Sequence, residues 1–222
     1  METEETLLPK SGASLIDKEE LKSFYTSSLP KMLKSIFFEP VNGTYTLFSK
    51  LTDKTYAHSL ILMATTTILY MIVPYILMGE QLREVAGFSG AFKTGLGILI
   101  FMLAISVIAF GIKAISGKPN FKNELLTGAL CGIPLIVLLI LSIVAKMFAG
   151  DDSAAMMTDP TAMLGKMGIL ILLVFYVFLM LINIVQQSVR AAGTKDALCW
   201  YLSPAGIFLA GYISFKIMAV MF

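Results

Sequence analysis

An all-α polytopic membrane protein, a five-transmembrane-helix bundle with an N-terminal interfacial amphipathic helix, is the fold class the sequence predicts, on three observations. Of 222 residues, 57% are hydrophobic and 14% charged, more apolar side chain than a soluble domain of that size can hide. The apolar residues gather in five runs, each long enough to cross about 30 Å of hydrocarbon at about 1.5 Å per residue. The basic residues fall between those runs rather than on one face, and the net charge is only +2, which argues against a nucleic-acid partner.

Residues 1–19 are polar and acidic, with Pro9, Gly12 and no periodicity, and predict a disordered cytosolic tail. Nothing at this end has the basic region and apolar core of a signal peptide, so insertion is expected to depend on the internal runs. Residues 20–54 form the amphipathic interfacial segment. Leu21, Phe24, Tyr25 and Leu29, then Met32, Leu33, Ile36 and Phe37 recur at helical spacing, with Lys31 and Lys34 elsewhere around the wheel. Such a helix suits the membrane interface, with Leu33, Ile36 and Phe37 facing lipid; packing against the protein's own loops is the alternative. The run Glu39-Pro40-Val41-Asn42-Gly43 ends it in a turn.

The membrane domain occupies residues 55–222, with spans expected at 57–78, 94–115, 125–148, 164–185 and 200–221. The first carries Pro74 and three successive threonines, Thr65 to Thr67, able to bond to their own helix or a neighbour. Residues 79–91 read as a loop, and a basic turn containing Lys113, Lys118 and Lys122 separates the second and third spans. The third opens with Gly128-x-x-x-Gly132 followed by Pro134. Two glycines one turn apart let another backbone approach, either within the bundle or from a second copy in a homo-oligomer, and Pro134 removes a helical hydrogen bond. Residues 149–161 read as a second loop, with Asp151, Asp152 and Asp159. The fourth span ends in its most polar stretch, where Asn183, Gln187 and Arg190 fall roughly on one face. Asn183 and Gln187 are an intrabundle polar cluster, read either as a pocket or as helix-to-helix glue. Trp200 and Tyr201 stand where an aromatic belt belongs.

Counting Lys and Arg by loop, twelve fall on the N-terminal side of the membrane and five on the other, which predicts a cytosolic N-terminus and an outside C-terminus. Lys118, Lys122, Arg190 and Lys195 then form a cytosolic basic surface suited to anionic lipid head groups or an acidic protein surface. No catalytic or metal site is predicted and no cofactor is expected. His58 is the single histidine, Cys131 and Cys199 are isolated, and the loop aspartates lack the spacing of a calcium loop.

The segment Phe110-Gly-Ile-Lys-Ala-Ile-Ser-Gly-Lys-Pro-Asn-Phe-Lys-Asn-Glu-Leu-Leu-Thr-Gly-Ala-Leu-Cys-Gly-Ile-Pro134 resembles the signature of the Yip (Ypt-interacting protein) domain family. The lead-in Phe38-Glu-Pro40 through Leu47-Phe48 and the turn Gln186 to Ala197 are similar to the family's corresponding parts. The resemblance spans residues 33–220 and implies a five-helix membrane domain with a cytosolic N-terminus. In eukaryotic members it implies a small GTPase partner and a role in vesicle traffic. The Asp-Leu-Tyr-Gly-Pro type motif of those members is absent, which points to the prokaryotic branch. The expectation is an integral membrane scaffold or adaptor in the bacterial inner membrane, with Golgi or ER membrane as the alternative location. A small transporter or permease subunit is the alternative function.

Overall fold

The computed structural model describes residues 18–51, 55–78, 80–116, 120–149 and 160–221. The N-terminal tail, Lys118 and the loop aspartates Asp151, Asp152 and Asp159 lie outside the described residues. Within those limits the chain is helical, with no strand. Three short helices, α1 (Lys18–Ser23), α2 (Leu29–Phe37) and α3 (Asn42–Ser49), precede five long ones: α4 (Thr55–Leu77), α5 (Glu80–Ser116), α6 (Phe121–Ala149), α7 (Pro160–Ala191) and α8 (Asp196–Met221). A single widened turn, Phe24–Ser28, joins α1 to α2.

Each long helix contains a stretch long and apolar enough to cross a membrane, at Thr55–Leu77, Gly87–Ile115, Phe121–Val144, Ile171–Ala191 and Asp196–Met221. The protein is therefore a five-span helical membrane protein. The expected spans lie within these helices, save that the first is expected to run one residue past Leu77, and the helices are longer. Residues 80–86, expected as loop, are helical because Glu80, Gln81, Leu82, Arg83 and Glu84 are good helix formers. The break comes at Gly87, whose φ of 57° and ψ of −175° lie outside the helical region in a conformation that favours glycine. Arg83 fastens this corner: its guanidinium donates to the carbonyls of Tyr75 and Ile76 at 3.0 and 2.6 Å, satisfying acceptors near the end of α4.

The core is built on α6, which packs against α4, α5 and α7. Its first half is buried almost all round, from Glu124 to Leu135. Gly128 and Gly132 explain why neighbours come so close. A Cβ on Gly128 would collide with the Met102 carbonyl oxygen and Ser106 Oγ of α5, and one on Gly132 would lie 2.5 Å from Thr66 Oγ1 of α4. The two glycines thus serve contacts within the bundle. Pro134 stands inside α6 without ending it, and one residue on, the Leu135 carbonyl accepts the Tyr70 hydroxyl of α4 at 2.7 Å.

The helices alternate in direction, and four contacts bring five ends together. Lys113 of α5 meets both Glu124 of α6 and Ser188 of α7, Lys122 of α6 lies over Tyr56 of α4, and Arg190 of α7 pairs with Asp196 of α8. The N-terminal helices cover this same end, here termed the capped end. Phe24 packs against His58 with ring centroids 5.4 Å apart, and α3 packs along α7. The turn at Gly193, φ 83°, closes α7 with backbone bonds from Ala192 and Gly193 to the carbonyls of Val189 and Arg190.

Candidate functional site

The chemistry of the described residues concentrates at the capped end, and helix extension is what places it there. Lys113, which the sequence puts where the 94–115 span meets the basic turn, lies in the last turn of α5, which continues to Ser116. Asn120 starts α6: its side-chain oxygen accepts the Lys122 N–H at 3.1 Å, in the manner of an N-cap. That leaves Glu124 in the first turn of α6. A cation in a last turn and an anion in a first turn each sit at the favourable pole of their helix.

Lys113 is 7% exposed and Glu124 3%. Lys113 Nζ donates to Glu124 Oε2 at 2.5 Å and to Ser188 Oγ of α7 at 2.8 Å. The Ser188 hydroxyl is 2.5 Å from Thr127 Oγ1, which in turn lies 3.5 Å from Glu124 Oε2. Glu124 and Thr127, three residues apart on α6, face the same way. The ring of Phe48, on α3, lies 5.8 Å from Lys113 Nζ and supplies a π face above the ammonium. One buried charge pair thereby ties the ends of α5, α6 and α7 together beneath the N-terminal helices.

A buried ion pair is stable only when its remaining donors and acceptors are used, and this one has partners from three helices. In this arrangement the protonated Lys113 donates to both Glu124 and Ser188. Among the described residues no three His, Cys, Asp or Glu side chains converge to hold a metal. The arrangement functions as a clasp.

A second polar seam joins the N-terminal helices to α7. Asn183 Nδ2 donates to the Pro40 carbonyl at 2.6 Å, and Gln187 Nε2 donates to Asn183 Oδ1 at 3.3 Å. The two residues expected to form an intrabundle cluster do meet, and what they hold is the turn before α3. Gln187 Oε1 and Thr44 Oγ1, on the facing helices, are buried without a hydrogen-bond partner among the described residues. Asn183→Ala is expected to cost about 1 kcal/mol and to raise protease sensitivity between α2 and α3, measured by limited proteolysis in micelles.

The expected basic surface is partly assembled. Lys122, Arg190 and Lys195 are exposed at the capped end. Arg190 pairs with Asp196 at 3.1 Å and lies over the Tyr45 ring, 5.9 Å from its centroid. Of the expected interfacial residues, Leu33 is exposed, Phe37 is half-buried against the core, and Ile36 is 3% exposed within it. Met32 and Ile36 turn the apolar stripe of α2 toward the protein, so this stripe meets the bundle rather than the bilayer.

Sequence reasoning missed the Lys113–Glu124 pair. The available signal was a lysine flanked by apolar Ile112, Ala114 and Ile115 and a glutamate directly followed by apolar Leu125 and Leu126. No family model matches the chain, and no curated protein and no solved structure matches it.

Proposed function

We propose that this protein is a membrane scaffold or adaptor of the Yip family type, anchored by the five-span bundle with the capped end in the cytosol. The observation that carries the reading is the disposition of the hydroxyl groups along the spans. Ser59, Thr66, Ser106, Ser203 and Ser214 are buried, yet each donates to a carbonyl four residues back on its own helix. Thr65 and Ser142 do the same, while Thr67 Oγ1 is buried with no hydrogen-bond partner among the described residues. Groups spent in this way do not line a polar path, and transport sites near the midplane generally need ionisable groups or broken helices. Among the described residues the two buried charges are paired at one end instead. The positive-inside count and the resemblance to Yip proteins supply the orientation and the family type.

In this reading Lys122, Arg190 and Lys195 present a basic cytosolic surface, each basic group near the membrane contributing about 1 kcal/mol of attraction to anionic lipid. The purified protein is expected to retain phosphatidylglycerol over phosphatidylcholine in native mass spectrometry. Reversing the three charges together, Lys122→Glu, Arg190→Glu and Lys195→Glu, should remove that preference. An unchanged lipid profile contradicts the basic-surface role, and solute flux into proteoliposomes above that of empty vesicles contradicts the scaffold reading in favour of a transporter.

A further inference from the structure

The N-terminal helices are anchored below the rim of the bundle, and that depth determines what covers their outer face. The Tyr25 hydroxyl is 2.5 Å from Thr65 Oγ1, which lies roughly 15 Å of helix below Thr55, the start of α4. The Pro40 carbonyl is held by Asn183, roughly 12 Å of helix below the end of α7 at Ala191. The belt residues Trp200 and Tyr201 are both exposed and lie only about 6–8 Å below Asp196, at the end where Asp196 pairs with Arg190. Both anchors therefore sit deeper than the aromatic belt. From Pro40, α3 climbs back toward the rim, where Phe48 reaches Lys113. The path descends, turns and returns on one side of the membrane.

The outer surface of this path carries exposed apolar side chains among polar ones such as Asn42 and Thr46. Leu33, Val41 and Tyr45 are exposed, and Phe38, beside the turn, is 80% exposed. Next to the Tyr25 anchor, the exposed residues Ala64, Ile68 and Ile72 continue along α4 within its membrane-spanning stretch, so the outer surface is continuous with the lipid-facing band. Lys22, Lys31 and Lys34 are exposed on the same segment, and their stems are long enough to carry the charges up to the head groups. Glu39 and Asn42 are exposed at the turn, so the segment carries polar groups to the depth of the Pro40 anchor, and insertion is limited there.

We propose that the stretch from α2 through α3 is a re-entrant wedge seated in the leaflet at the capped end, with acyl chains of that leaflet covering Phe38 and Val41. It displaces lipid from one leaflet only, and this follows from its depth whether or not a partner binds the basic surface. A nitroxide attached at Phe38→Cys or Val41→Cys, in full-length protein reconstituted in phosphatidylcholine/phosphatidylglycerol vesicles, reads the cover directly. Wild-type protein, whose Cys131 and Cys199 are both buried, supplies the background. Both positions are expected to be accessible to oxygen and to lose broadening by a water-soluble nickel chelate, matching Ile72→Cys and opposite to Lys50→Cys. Nickel access at either position equal to that at Lys50 overturns the proposal, as does inaccessibility to both reagents, the signature of a protein cover.

Discussion

Glu124→Ala is expected to destabilise the bundle by about 3–5 kcal/mol, the usual consequence of removing one member of a buried ion pair. The loss arises less from the missing attraction than from what remains. Lys113 would keep its charge within a surface that leaves it 7% exposed, with only Ser188 and the Phe48 ring as partners. Lys113→Ala is expected to be comparably costly for the mirror reason, leaving the Glu124 carboxylate buried with Thr127 alone at 3.5 Å. Because the pair joins α5 to α6 and reaches α7 through Ser188, either change should loosen the capped end first. The measurement is the unfolding midpoint in micelles, with tryptic cleavage in the turn between α5 and α6 as the local readout. Wild-type midpoints in both variants would show the pair to be energetically idle.

Gly128→Ala is the second large expected effect, at about 1–3 kcal/mol or more. The added methyl group would overlap the Met102 carbonyl oxygen, and backbone cannot step aside as a side chain can. Gly132→Ala should cost less, since its closest neighbours are Thr66 Oγ1 at 2.5 Å and Met102 Sδ at 3.2 Å, both side-chain atoms. Gly111 provides the control: nothing lies within 4 Å of its added Cβ, so Gly111→Ala should be neutral or stabilising by up to about 1 kcal/mol. Equal losses at the three positions would refute close packing of α6 on α5 as the reason for the glycine at 128.

These contrasts show which parts of the fold the chain declares locally. Five spans are legible because a bilayer demands about 20 apolar residues in succession, and no tertiary knowledge is needed to find such runs. The small-residue spacing at Gly128 and Gly132 is legible for the same reason, as a periodicity within one helix. The N-terminal segment is half legible. The spacing of Met32 and Ile36 announces an apolar stripe, but periodicity specifies a face and not the neighbour it meets, and here the neighbour is the bundle. The large apolar side chains left exposed, Phe38 and Val41 among them, lie at and beyond the end of α2.

Lys113 marks the other limit. A lysine near the end of an apolar run reads as an interfacial charge, because in most helices it can snorkel. Only the return of α6 alongside α5 and the arrival of Ser188 from α7, a residue 75 positions away in the chain, convert it into a buried donor. Asn183 and Gln187 illustrate the same point: their shared face is visible in the sequence, whereas the Pro40 carbonyl that Asn183 holds is 143 residues distant.

The central claim is that one buried charge pair, shared among α5, α6 and α7, closes the capped end. A double-mutant cycle tests it most directly, using Lys113→Met, Glu124→Leu and the combined variant in the same micelle. The combined variant, with no charge left unpaired, is predicted to recover most of the stability that either single change removes, giving a coupling of about 1–3 kcal/mol. Losses that simply add in the double variant would contradict the claim.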